Sequence, residues 1–443
     1  MNHKRKYSYF ISFVFIVFLI LPEFLFAGWT NRQPSPINSN VNPGGVNPHY
    51  NSGGRRIVRI NNVTIALAPE WDGEKTYRSS DDGLNWNLID SSPTFSSCLI
   101  TGANEYVYHF YQSGENIYMV KFKYNENPPN PIVIYSDPEV SQSSSGSYRA
   151  INAIVDSNST LFVAAHWGTT DQLYLLRSSD AGITWDGPFL INNGGGPWYY
   201  PHLEVNSENV LYCTYDNVLS THMMFAKSFD QGETWTRVLL SDQNPTSNPA
   251  ILTIGANEIF VFAQSQVSGR VGLIYNHSVN QGNAWGGWTV IDPNCGYADP
   301  SPALGDDGTI YVAFRSSNGT GVTTGSCGDM SRSRLGMSTD NGNTWTFPDN
   351  YYNAERTGTR NQIHYQTWFN YGGPLEWIWM QYEDGGTEHR IYYDINVDVN
   401  IFNLRQSKKS LRSNVERKIE TYKSNPTPQN KDSVLQAIDN YLK

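Results

Sequence analysis

Five octapeptides in this chain share one pattern: SSDDGLNW from Ser79, SSDAGITW from Ser178, SFDQGETW from Ser228, SVNQGNAW from Ser278 and STDNGNTW from Ser338. Each sets Ser first, Asp or Asn two residues on, Gly two after that and Trp three after the Gly. The starts lie 99, 50, 50 and 60 residues apart, so the period is near 50 with one box missing from the first gap. A period of that size marks a propeller or solenoid, in which one repeat is one supersecondary unit.

A second signal runs in phase. Short polar turns such as Asn61-Asn62, Ser157-Asn158, Ser207-Glu208 and Ala256-Asn257 each precede a box, by 20, 22, 22 and 23 residues measured to the box Asp or Asn. The distance from Asp307 to Asp340 is 33, which predicts an insertion around Cys327. Two further turns predict degenerate boxes near Asn125 and Asp394. Between turns the sequence alternates, as in TLFVAAHW and NEIFVFAQ, and period 2 with β-branched and aromatic residues is strand. Helical repeats are excluded. The expectation is an all-β chain of seven four-stranded units, a seven-bladed β-propeller, with six blades as the alternative.

The box is then the hairpin between the third and fourth strands of a blade. Its Ser and Asp side chains hold nearby amides, its Gly takes positive φ and its Trp packs into the blade. Asp81, Asp180, Asp230, Asn280 and Asp340 are thereby structural. A calcium loop is the alternative, and it would call for further carboxylates that the box lacks.

Residues 1–27 combine Lys4, Arg5 and Lys6 with the apolar run Phe10–Leu21 and a small-residue cleavage site, which predicts a secretory leader and a secreted or periplasmic protein. Residues 28–54 read as a linker, 55–403 as the propeller and 404–443 as a basic tail of two short helices. In an oxidising compartment Cys295 and Cys327, each flanked by Gly, form a plausible bridge, whereas Cys98 and Cys213 sit in apolar strand patterns as buried thiols. Net charge is −10; the leader carries +2 and the tail +5, leaving −10 − 2 − 5 = −17 on the middle. An acidic body argues against nucleic acid. No membrane contact is expected after leader cleavage, and no metal or cofactor motif stands out. The tail either packs on the acidic body or meets a protein partner.

The boxes resemble the Asp boxes of sialidases and related bacterial neuraminidase-repeat proteins over about residues 55–400. Sialidases as a family use three Arg on a substrate carboxylate, a Tyr nucleophile paired with Glu, and an Asp acid/base. The segment HYQTWFNYGGPLEWIWMQYEDGG resembles the family's last blade, which implies Tyr365 as nucleophile with Glu383 nearby. RRIVRI resembles the first-blade Arg motif, with Val58 where the family has Pro, and implies Arg56. DPSPALGDDGTIYVAFRS implies Arg315, with Asp299 where the family has Glu. Arg332 would be the third Arg, and Glu70 or Asp72 the acid.

Propeller geometry puts the boxes on one face and the loops joining strands two and three, or one blade to the next, on the other. That other face collects Arg56, Arg149, His166, Trp198, Tyr200, His202, Arg270, Asp299, Arg315, Arg332 and Tyr365. Aromatic platforms with Arg and carboxylates suit sugars. Three readings stay open: a sialidase-like glycosidase, a propeller-type polysaccharide lyase with His166, Tyr200, His202 and Arg149 near a uronate, and a non-catalytic propeller that binds glycan or protein.

Overall fold

Short apolar runs broken by Asn, Asp and Gly become 27 strands in the computed structural model. It describes residues 35–37, 55–70, 73–93, 97–138, 151–167, 172–192, 199–217, 222–241, 246–265, 272–292, 300–305, 308–316, 332–347, 364–369, 376–383 and 388–395. The predicted leader, residues 1–27, and the tail, 404–443, lie outside these. Among the described residues no helix is long and apolar enough to cross a membrane.

Strand β1 is the pair Ser35–Pro36. Blade one holds β2 (Ile57–Ile60), β3 (Val63–Glu70), β4 (Gly73–Ser79) and β5 (Asn87–Ser92). Blade two holds β6 (Ser97–Thr101), β7 (Tyr106–Ser113), β8 (Asn116–Lys123) and β9 (Ile132–Ser136). Blade three holds β10 (Ile151–Val155), β11 (Leu161–Trp167), β12 (Gln172–Ser178) and β13 (Asp186–Leu190). Blade four holds β14 (Tyr199–Val205), β15 (Leu211–Asn217), β16 (His222–Ser228) and β17 (Thr236–Ser241). Blade five holds β18 (Thr246–Ile254), β19 (Glu258–Ser265), β20 (Gly272–Ser278) and β21 (Thr289–Asp292). A three-stranded sheet follows, β22 (Ser301–Leu304), β23 (Ile310–Ser316) and β24 (Arg332–Ser338), and the closing blade has β25 (His364–Phe369), β26 (Glu376–Glu383) and β27 (Glu388–Ile395). First strands adjoin in chain order from β2 to β25, and β26 adjoins β2, so the sheets form a closed ring.

Two expectations are corrected. The described residues make six four-stranded blades rather than seven, with the three-stranded sheet besides. After β24, among the described residues, the bridge of Met337 with Thr346 marks where a fourth strand would run. Second, the stretch read as a linker supplies β1, which pairs with the closing blade through Ser35↔Tyr393 and Pro36↔Tyr392. Ile37 follows it into the core. The closing blade therefore takes its outer strand from the start of the chain, which is why it needs no box near Asp394.

The five boxes share one geometry. The box Gly amide donates to Ser Oγ at 2.8 Å at Gly83, Gly182, Gly232 and Gly342 and at 2.9 Å at Gly282. Ser Oγ in turn donates to the Asp or Asn Oδ1, at 2.7 Å for Asp230 and 3.0 Å for Asn280. That Oδ1 also accepts the amide four residues on, at 2.9 Å from Thr184 and 2.8 Å from Ala284. Glycine is required because φ is +88° at Gly182 and +92° at Gly232.

The Trp packs into its own blade and also across the seam. Trp185 meets Phe110 of blade two edge-on at 5.9 Å, and Trp285 meets Phe225 of blade four at 5.0 Å. A side chain on the box Gly would strike the preceding blade: Met119 at Gly182, Leu175 at Gly232, Phe225 at Gly282 and Tyr393 at Gly83. Tyr393 belongs to the closing blade, so the ring shuts with the same contact that joins its other members. Each buried Phe or Leu in these seams contributes about 1.5–3 kcal/mol.

A basic residue placed just before the box Ser reaches the next blade's turn. Arg177 binds Glu233 at 2.7 Å, Lys227 donates to the Gln281 carbonyl at 3.1 Å, and Arg78 donates to the Glu126 carbonyl at 2.7 Å. Lys121 holds the matching register in blade two, which lacks a box, and donates to the Ala181 carbonyl at 2.9 Å.

Candidate functional site

The face opposite the boxes is where first strands begin and second strands end. Arg56 immediately precedes β2 there, but it is 1% exposed and paired with Glu74, itself fully buried at the start of β4. Ser97, at the start of β6, donates to the same carboxylate. Burial pulls the Arg56 guanidinium down to about 10. Its charge is committed to an internal carboxylate rather than presented to an incoming one.

Arg55, one residue earlier, crosses the centre of the ring. It donates to the Ala153 carbonyl of β10 at 3.0 Å, to the Leu203 carbonyl of β14 at 3.2 Å and to Glu204 Oε2 at 2.6 Å. Burial raises the Glu204 carboxyl, and Arg55 opposes that shift. An ion pair thus joins the start of blade one to strands β10 and β14. Sequence reading missed Glu74 and Glu204, because an isolated carboxylate in an alternating strand reads as solvent-facing.

Three predicted residues lie on adjoining strands of blades three and four. His166, near the end of β11, is fully buried; Tyr200 and His202 lie in β14, which adjoins β11. Tyr200 has φ +54°, inside a register break between Tyr199 and His202. A left-handed conformation at a bulky residue costs of order 1–3 kcal/mol and persists only where its surroundings impose it. Next to it, His202 Nδ1 accepts the Ile251 amide at 2.7 Å. In the neutral ring the proton therefore sits on Nε2.

The other candidates are placed only by their strands, or not at all. Tyr365 lies in β25 and Glu383 at the end of β26, opposite Glu388. Arg315 and Arg332 lie at one end of the β23–β24 pair, whose register is Arg315↔Ser333 and Ser316↔Arg332. Asp72, Arg149, Trp198, Arg270, Asp299, Cys295 and Cys327 fall outside the described residues. Cys98 and Cys213 are free, buried thiols, and burial pushes Cys98 up to about 12.

At the boxes, the carboxylates are absorbed by their own hairpins. Asp180 is held down to about 2 by the Thr184 hydroxyl and amide. Among the described residues no three His, Cys, Asp or Glu lie together as a metal site would have them.

No protein-family model matches the chain, and no curated protein matches it by sequence. Solved structures do resemble it. A protein of unknown function from Dyadobacter fermentans is 12% identical, with 82% of this chain and 99% of that one covered and a TM-score of 0.46. The Hadza microbial sialidase Hz136 is 14% identical over 73% of each chain, with a TM-score of 0.44. The polysaccharide lyase Uly1 is 11% identical over 84% of this chain and 94% of its own, with a TM-score of 0.48. Likenesses this distant say nothing about substrate. The closed ring of antiparallel sheets, with its Ser-Asp-Gly-Trp hairpins between third and fourth strands, is a β-propeller.

Proposed function

We propose that this is an exported, carbohydrate-acting propeller whose reacting groups sit at the blade three–four corner, on the face opposite the boxes. The observation that carries the reading is Tyr200, held at φ +54° beside a His202 whose tautomer is fixed by the Ile251 amide. Strain kept at a polar aromatic residue, two residues from one buried imidazole and on a strand adjoining that of another, is the kind of arrangement that positions an acid/base pair. On a uronate-containing glycan, Tyr200 and His202 would serve as base and acid for β-elimination, with His166 and Arg149 neutralising the carboxylate. The Arg56–Glu74 pair favours this over the glycosidase reading, since it occupies one of the three Arg that reading requires.

The glycosidase reading keeps one support: Arg315 and Arg332 share a strand end in the sheet beside β25, which carries Tyr365. Assay of the purified protein against uronate polymers, by absorbance of unsaturated ends, and against a fluorogenic sialoside separates the two. We expect unsaturated ends that disappear in Tyr200→Phe and persist in Tyr365→Phe. The converse pattern overturns the assignment in favour of the glycosidase, and silence on both substrates with retained glycan binding leaves a non-catalytic module.

A further inference from the structure

On the box face, neighbouring blades are tied by their first hairpin turns. Asn61 Nδ2 of blade one donates to Glu105 Oε1 of blade two at 3.0 Å. The Ser157 amide of blade three donates to Asn209 Oδ1 of blade four at 3.1 Å. Asn206 Nδ2 of blade four donates to the Ala256 carbonyl of blade five at 2.5 Å. Between blades two and three the pattern breaks. Among the described residues no hydrogen bond joins the turn at 102–105 to the turn at 156–159, and a pocket of about 320 Å³ opens there instead. That is within the range of small-molecule sites, ~300–1,000 Å³.

We propose that this pocket binds one uncharged saccharide residue. Its wall is aromatic, formed by Tyr106 and Tyr108, with the Lys121 ammonium 4.6 Å and 5.6 Å from the two ring centroids. Lys121 gives one N–H to the Ala181 carbonyl at 2.9 Å. An ammonium has three donors, so two are left for a ligand. Asp180 also lines the pocket, and its second carboxylate oxygen already accepts the Thr184 hydroxyl at 2.6 Å but has a further lone pair. Asn104 and Ser179 are exposed on the rim.

The charges decide the ligand class. An anion would satisfy Lys121 but face the ionised Asp180; a cation would do the reverse. A sugar hydroxyl both donates and accepts, so one neutral ring can serve a donor-only ammonium and an acceptor-only carboxylate together. Its C–H face then covers the exposed part of the tyrosine wall. The pocket lies on the other side of the ring from the blade three–four corner, and this inference does not depend on the reaction assigned there.

Saturation-transfer NMR on the full chain tests it, with methyl β-D-glucopyranoside, methyl β-D-galactopyranoside and methyl α-D-mannopyranoside at millimolar concentration. D-glucuronate and glucosamine serve as the charged comparators. At least one neutral glycoside should give signal, and more than either charged sugar. Ser179→Trp, which fills the pocket beside an intact box, should weaken that binding about tenfold or more. Asn104→Gly removes a rim amide while suiting the φ of +58° at that turn, and should weaken it less. Neither variant should alter turnover at the opposite face. The proposal is overturned if no neutral glycoside saturates, if a charged sugar is preferred, or if the signal survives both variants.

Discussion

The seam between blades three and four and the seam that closes the ring use the same Gly contact but different polar chemistry. In the former, Leu175 packs on Gly232, Arg177 pairs with Glu233, whose side chain is 53% exposed, and the inner ties run to backbone groups: the Leu203 amide donates to Asn152 Oδ1 at 3.1 Å and Arg237 Nε to the Ile191 carbonyl at 2.6 Å. In the latter, Tyr393 packs on Gly83 and the polar ties are inside. Glu376, fully buried at the start of β26, accepts from Arg59 Nη1 at 2.8 Å, from Thr64 Oγ1 at 2.6 Å and from the Tyr393 hydroxyl. Arg59 also reaches Asp82 of the first box at 2.7 Å. Burial raises the Glu376 carboxyl, with Arg59 opposing. Where the backbone leads directly from blade to blade, an exposed ion pair and bonds to backbone groups suffice. Where the two ends of the chain meet, a buried network specifies the partner.

Breaking that network should have the largest effect. Arg59→Met leaves Glu376 buried without its counter-charge and should cost about 3–5 kcal/mol in urea unfolding. If the loss is no larger than that of Arg177→Ala, an exposed pair worth at most about 1 kcal/mol, the two seams do not differ as described. Gly232→Ala tests what they share. The side chain enters a left-handed position against Leu175, and a loss of about 2 kcal/mol or more is expected from thermal unfolding.

A smaller effect separates one box from another. In four boxes the second carboxylate oxygen accepts from the next-to-last side chain: Asn85, Thr184, Thr234 or Thr344. In the fourth box along the chain the acceptor is Asn280 and that side chain is Ala284, which has nothing to donate. Asp180→Asn should therefore cost about 1 kcal/mol, because a charge-assisted bond from the Thr184 hydroxyl becomes a neutral one donated by the new amide, and Thr184→Ala should cost less in that background than in the parent. Additive losses in the double-mutant cycle would show that the pair does not interact.

Acid should act on the two regions with opposite sign. The box carboxylate of Asp180 is depressed to about 2 from 3.8, so its contribution is present above 3.8 and is lost as pH falls toward about 2. Asp81 and Asp340 shift the same way. Glu376 is raised above 4.5, so the folded chain takes up its proton first. Its contribution grows as pH falls from neutral toward 4.5. Urea midpoints measured across pH should flatten above 4.5 in Glu376→Gln and below 4 in Asp180→Asn, each relative to the parent; an unchanged profile in either variant would refute that assignment.

The boxes were legible in the sequence because every bond they make spans at most four residues, from Ser178 to Gly182 or Asp180 to Thr184. The basic residue before the box Ser was equally visible at Arg78, Arg177 and Lys227, but its partner lies in another blade, beyond any local pattern. Strand β1 was hidden because two residues carry no periodicity. Glu74, Glu204 and Glu376 were hidden because burial of a charge depends on a counter-charge distant in the chain: Arg56, Arg55 and Arg59, all within one short stretch around β2. The candidate site was half legible. His166, Tyr200 and His202 were named by their place at strand ends, whereas the strain at Tyr200 and the tautomer of His202 exist only in three dimensions.

The pairing of Ser35–Pro36 with β27 has a consequence for how the molecule is made. On a ribosome, the amino-terminal segment must stay uncommitted until residues 388–395 have emerged, since its only strand partner is almost the last part of the wheel to be synthesised. Blades one to five can assemble as they appear, yet the final join waits until residues 388–395 have emerged, and a change near Ser35 would be felt at Tyr393.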